Sequence, residues 1–222
     1  RLDLELERFF NSLDDKVGNG NWTVFITSDH GAATVPSYGS SVGAPTDYWT
    51  AGNMQERIDN SLDLKFGKQK WISNISNNQI FINKKACNNS EVSISEIGEI
   101  VSRLALEEDA ILISIAEDDL ASRAAVDPIA ARLFDGHQPG SSGDVVFVLK
   151  PGWLTYGRTG STHGSPFVYD SHVPCLFYGA GVSNGSTFET TLIRDIAPTI
   201  STILQIPYPN GTTGSPISDV IK

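Results

Sequence analysis

Two short stretches of this 222-residue chain carry side chains suited to metal chemistry. In the first, Ser28, Asp29, His30 and Gly31 follow directly on a short apolar, β-branched run, so a carboxylate and an imidazole stand side by side where the chain leaves a strand. A carboxylate oxygen and an imidazole nitrogen suit zinc and also accept manganese, and adjacent residues reach one ion if the backbone turns there. The same dipeptide can serve a structural end, with Asp29 capping a turn and His30 packed over it. In the second stretch, Thr162, His163 and Gly164 lie in a glycine-rich loop that follows another apolar run. Alone, His163 reads as an ordinary surface histidine; with Asp29 and His30 it reads as a further ligand.

Other polar residues surround these two stretches. His172 precedes Val173 and Pro174 at the start of a strand, where it supports a neighbouring ligand or packs structurally. Tyr156 and Arg158, in the loop before His163, carry groups that would meet an anionic substrate. His137, between Gly136 and Pro139, reads as solvated, Asp170 as a supporting or capping group, and Asp195 as a helix cap. Nucleophilic machinery is incomplete: there is no Gly-x-Ser-x-Gly elbow, no phosphate-binding loop and no Cys-x-Pro-x-Arg, and neither Thr34 nor Ser37 has a nearby base. These residues read as half of a site.

The elements that must position them follow from periodicity. Leu2, Leu6, Phe9, Phe10, Leu13 and Val17 recur at three- and four-residue steps and predict a helix ending near Gly18. Trp22 to Thr27 is too short and too branched for a helix and predicts a strand buried on both faces. A weaker helical pattern covers about Asp47 to Leu64. Trp71 to Ile75 and Gln79 to Ile82 predict a hairpin, Ser93 or Ser95 caps a helix through Glu107, and Ala110 to Ile115 predicts a strand. Asp127 and Pro128 open a short helix to about Phe134. Val145 to Leu149 and Pro174 to Tyr178 are further strands, and Asp195 leads into a last helix through Leu204. This grammar predicts an α/β fold in which the first strand and the Asp144 to Leu149 strand share a mostly parallel sheet flanked by helices. A small α+β insertion at about 66–136 interrupts it. Parallel strands deliver their carboxyl ends to one edge, which would bring the two histidine loops together.

Composition narrows the function. With 26 acidic residues against 16 basic ones, the formal charge is −10 and the isoelectric point about 4.7, which argues against binding a phosphate backbone by charge. Hydrophobic residues make up 40% of the chain, enough for a substantial core. No apolar run approaches the roughly 20 residues that cross a bilayer, and no basic-then-apolar leader opens the chain. Arg1 leads straight into a helical pattern and the only methionine is Met54, so the chain reads as part of a longer polypeptide. Cys87 and Cys175 match no zinc or redox spacing and read as unpaired.

Together, several motifs resemble a family. They are Thr27-Ser28-Asp29-His30-Gly31, Ser161-Thr162-His163-Gly164-Ser165-Pro166 running through Tyr169-Asp170 to His172-Val173-Pro174, Phe177-Tyr178-Gly179-Ala180-Gly181, and Arg194-Asp195-Ile196-Ala197-Pro198-Thr199-Ile200. They are similar to the C-terminal half of alkaline-phosphatase-superfamily enzymes, and most of all to the phosphate-irrepressible (PafA-type) bacterial alkaline phosphatases. The likeness covers most of residues 1–222 and is weakest between about Thr34 and Gln138. It implies an alkaline-phosphatase-like domain with two zinc ions. Asp29 and His30 would bind the ion that activates a Thr or Ser nucleophile upstream of this chain, and His163 would bind the ion at the leaving oxygen. It further implies a small phosphate-ester substrate, a periplasmic or secreted location, and no activity in these residues alone. His30 argues against a sulfatase, which usually has asparagine there for an all-oxygen calcium site. A phosphodiesterase or phosphonate hydrolase would keep the same ligands, and a noncatalytic module would keep the fold without the nucleophile.

Overall fold

A computed structural model describes residues 1–157 and 159–222. The chain divides into two compact units, one of residues 1–29 with 173–222 and the other of residues 30–172. The strands, in chain order, are β1 (Thr23–Thr27), β2 (Ile72–Ser76), β3 (Gln79–Ile82), β4 (Ile111–Ala116), β5 (Val145–Leu149) and β6 (Cys175–Gly179).

In the first unit, β1 pairs antiparallel with β6, from Thr23 opposite Gly179 to Thr27 opposite Cys175. The helix Leu2–Val17 ends at Gly18, whose N–H donates to the Asp14 carbonyl at 2.9 Å and whose positive φ of 92° then turns the chain out of the helix. An aromatic cluster fixes this helix on the sheet. Phe10 stacks on Trp22 and on Tyr178 with centroids 5.2 and 5.3 Å away, while the Trp22 indole N–H donates to the Asp14 carboxylate at 2.8 Å. The strand expected to be buried on both faces is only half-buried, with Phe25 42% exposed, and among the described residues β6 is its one strand partner. At the last helix, Ile196–Leu204, the Asp195 carboxylate accepts from the N–H groups of Leu192 and Ser215 at 2.8 and 3.0 Å. Asp195 therefore ties two segments to the helix entrance, but its side chain makes no capping bond to the helix itself, contrary to the expected cap.

The second unit is built on a four-stranded sheet in the order β2-β3-β5-β4, antiparallel throughout. The predicted hairpin is present. Its two-residue turn, Asn77-Asn78, has φ of 50° and 59°, the left-handed pair that a tight hairpin needs and that asparagine tolerates. Helices Gly52–Phe66 and Ile94–Ala105 carry Met54, Ile58, Leu62, Ile97 and Val101 into a core with Trp71, Ile72, Ile80 and Phe147. The second of these is capped by Ser93, whose hydroxyl accepts from the Glu96 N–H at 3.0 Å. A smaller cluster of Ile115, Leu120, Ala130 and Val146 lies beneath helices Glu117–Ala124 and Pro128–Asp135. Strand side chains alternate between faces, so Phe147 joins one cluster and Val146 the other.

This arrangement corrects one expectation from the sequence. β5 does not share a sheet with β1; it is an inner strand of the antiparallel sheet, between β3 and β4. Its unbroken apolar run, Val145 to Leu149, reflects burial between two helix layers and not parallel pairing. The only parallel pairing among the described residues is the isolated bridge between Tyr48 and Leu154. Both cysteines are free thiols, and no described helix is long and apolar enough to cross a membrane.

Candidate metal centre

Asp29 is the last residue of the first unit and is exposed, within reach of the Ser28 hydroxyl at 3.3 Å. His30, peptide-bonded to it, opens the second unit and is half-buried. The His30 Nδ1 lies 2.6 Å from the Gly31 carbonyl oxygen. A carbonyl only accepts, so this contact places a proton on Nδ1. Histidine ligands in metal sites are commonly oriented by such a bond from the other ring nitrogen.

The ring of His163 stacks on that of His30, with centroids 3.4 Å apart and planes 13° from parallel. Direct bonds between the two loops account for this approach. The Ala33 N–H donates to the Thr162 carbonyl at 3.3 Å, the Ser161 hydroxyl donates to the Ala33 carbonyl, and the Gly31 N–H donates to the Asp170 carbonyl at 2.8 Å. Gly31 allows the last contact, because a β-carbon there would lie 2.1 Å from the Tyr169 carbonyl oxygen. On the far side of the second loop, the Ser165 N–H donates to the Asp170 carboxylate at 2.7 Å. Neighbouring parallel strands, expected to bring the histidines together, are absent among the described residues. The contacts that do so are loop to loop.

The remaining candidates are placed differently. His172 follows the helical turn Val168–Ser171, is exposed, and stacks on neither His30 nor His163 among the described residues. His137, expected to be solvated, is half-buried with Nε2 3.3 Å from the Gly143 carbonyl. Tyr156 is 52% exposed and folds over Gly160, where a β-carbon would lie 1.8 Å from its ring. Arg158 lies outside the described residues. Asp170 was legible only as a supporting group, yet it bonds to both histidine loops while 95% buried. Its position in the Tyr169-Asp170 motif was the one available signal, and the sequence could not show that this residue faces two loops.

Among the described residues, no three His, Cys, Asp or Glu side chains converge on one point to hold an ion. The donor types present nonetheless fit metal binding: imidazole and carboxylate are zinc and manganese ligands, and the His30 ring is oriented by its Nδ1 bond to the Gly31 carbonyl.

Residues 1–172 match the model of the type I phosphodiesterase / nucleotide pyrophosphatase family, and the chain belongs to this family. It is also similar over its whole length to individual phosphatases. Alkaline phosphatase PafA of Elizabethkingia meningoseptica is 34% identical over 222 residues, covering 100% of this chain and 40% of the relative. Alkaline phosphatase PhoV of Synechococcus elongatus is 33% identical over 225 residues with the same coverage. The crystal structure of wild-type PafA superposes with a TM-score of 0.91 at 34% identity, covering 100% of this chain and 42% of that one. The alkaline-phosphatase fold read from the motifs is therefore the fold of this chain, which spans about two-fifths of the length of the relatives it matches.

Proposed function

We propose that these residues supply part of the metal centre of a zinc-dependent phosphomonoesterase. The stacked pair of His30 and His163 carries this reading. Two ions that clamp a phosphoryl group sit about 3.5–4 Å apart, and two parallel imidazoles at similar separation can each turn a nitrogen toward a different ion. In this arrangement His30, with Asp29 bonded to it in the chain, holds one ion and His163 holds the other. Zinc suits these donors best, and manganese is the alternative. The bound ions supply charge stabilisation to the attacking and leaving oxygens of an in-line displacement. His30 contributes orientation through its bond to Gly31, and the paired loops hold His163 at a fixed spacing from it.

Similarity to the alkaline phosphatases PafA and PhoV supports small phosphate monoesters as substrates; the motif resemblance further implies a periplasmic or secreted location and a Thr or Ser nucleophile from outside these residues, without which they would not turn over. A diesterase is the second reading, because the matching family model carries that description. The test uses the full-length protein with nitrophenyl phosphate, bis-nitrophenyl phosphate and nitrophenyl sulfate, before and after chelation. Monoester turnover should exceed diester turnover, sulfate should be inert, and activity should disappear with chelation and return with zinc. Diester turnover above monoester turnover selects the second reading. Activity that survives complete metal removal refutes both.

A further inference from the structure

Asp170 stands out in the second unit because it is buried to 95% and yet carries a carboxylate. Its three oxygens stand in different surroundings. The backbone carbonyl accepts from the Gly31 N–H at 2.8 Å, one residue past His30. One carboxylate oxygen, Oδ2, accepts from the Ser165 N–H at 2.7 Å, two residues past His163. The other, Oδ1, is buried and has no hydrogen-bond partner. Buried polar atoms are nearly always paired, and an unpaired carboxylate oxygen is among the costlier exceptions.

A structural role alone does not account for the acid. The amide oxygen of an asparagine would accept from the Ser165 N–H equally well and without a buried charge, its amide NH2 then standing where the unpaired Oδ1 lies. A carboxylate in that place is stabilised only if positive charge lies near, because desolvation penalises an isolated buried anion. No Lys or Arg forms an ion pair with Asp170 among the described residues. The two loops it joins, however, are those that carry His30 and His163.

We infer that Asp170 is a positioning residue for the metal centre, clamping the His30 and His163 loops together and adding negative charge that favours cations held there. The inference rests on the reading of His30 and His163 as metal ligands. It assigns Asp170 no contact with substrate and no place among the ligands themselves. Residues that orient metal ligands in this way typically change metal affinity about 10–100-fold when altered.

The experiment is a competitive Zn²⁺ titration of the full-length apoprotein against a chromophoric chelator, with circular dichroism as a fold control. Asp170→Asn keeps an acceptor for Ser165 and removes the charge, so the fold should persist while zinc affinity falls by about 10–100-fold. Gly31→Ala perturbs the clamp from the other loop, since its β-carbon would press on the Tyr169 carbonyl, and should weaken zinc to a similar extent. His163→Ala separates the two levels of argument. If it lowers affinity while a folded Asp170→Asn or Gly31→Ala protein binds zinc as wild type does, the positioning role is refuted and the metal reading stands. If His163→Ala also binds as wild type, the metal reading itself fails. A merely structural role would lower thermal stability in Asp170→Asn without moving zinc affinity in the folded protein, which likewise overturns the inference.

Discussion

His163→Ala should separate stability from turnover. His163 is exposed, and the contact the structure gives its ring is the stack on His30. Exposed substitutions usually move stability by within about 0.5 kcal/mol, and an aromatic stack adds roughly 0.5–1.5 kcal/mol when fully formed. The loop does not depend on the ring, because the Thr162 carbonyl, the Ser161 hydroxyl and the Ser165 N–H hold it in place. The melting temperature should therefore fall by no more than about 4 °C in a domain of this size. Turnover should respond quite differently. A metal ion contributes several kcal/mol at a developing oxyanion, and loss of about 3–5 kcal/mol corresponds to a rate loss of roughly 10²–10⁴-fold. The assay is kcat for a chromogenic phosphate monoester in the full-length protein with zinc in excess, alongside a thermal melt. A kcat within about threefold of wild type removes His163 from the metal centre. A melting temperature lowered by more than about 8 °C shows instead that the ring is a packing element.

Two further substitutions probe the second unit. Trp71 is fully buried, packs against Phe66 with centroids 5.7 Å apart, and donates its indole N–H to Asp63 at 3.0 Å. Trp71→Ala should cost about 3–5 kcal/mol, read from the denaturant midpoint; a loss below about 1 kcal/mol would show that the core closes over the gap. Asp59 accepts from the N–H groups of Trp71 and Ile72, both at 3.0 Å. Burial pushes its carboxyl above the usual carboxylate value, with a contribution from Asp63, against the opposing effect of the two N–H bonds and of Lys70. A raised folded-state value means the folded protein holds the proton over a window where the unfolded chain has lost it. The group therefore destabilises the fold above that window, and the penalty is relieved as pH falls through it. Asp59→Asn keeps both bonds, so at pH 7 it should match or exceed wild-type stability by up to about 1 kcal/mol, with the difference shrinking in acid. A variant clearly less stable at pH 7, or a difference independent of pH, contradicts that account.

The candidate ligands were legible in the sequence because their signal is chemical. Asp29 beside His30, and His163 flanked by glycine, carry recognisable donors in loops whose breakers declare them. The hairpin with its Asn77-Asn78 turn and the Ser93 cap were equally local, since each depends on residues within four positions of one another. Strand partnership was not local. The run Val145 to Leu149 is equally apolar whether it is buried by parallel neighbours or between helices on both faces of an antiparallel sheet, so composition could not choose its partners. For the same reason the convergence of His30 and His163 was inferred from the wrong device. Only the tertiary structure reveals that a glycine without a β-carbon, a buried aspartate, two backbone bonds and a serine hydroxyl bond join their loops. Residue type and spacing determined which atoms could bind a metal; long-range packing decided which of those atoms meet, because hydrogen-bond partners more than a hundred positions apart leave no periodicity in the chain.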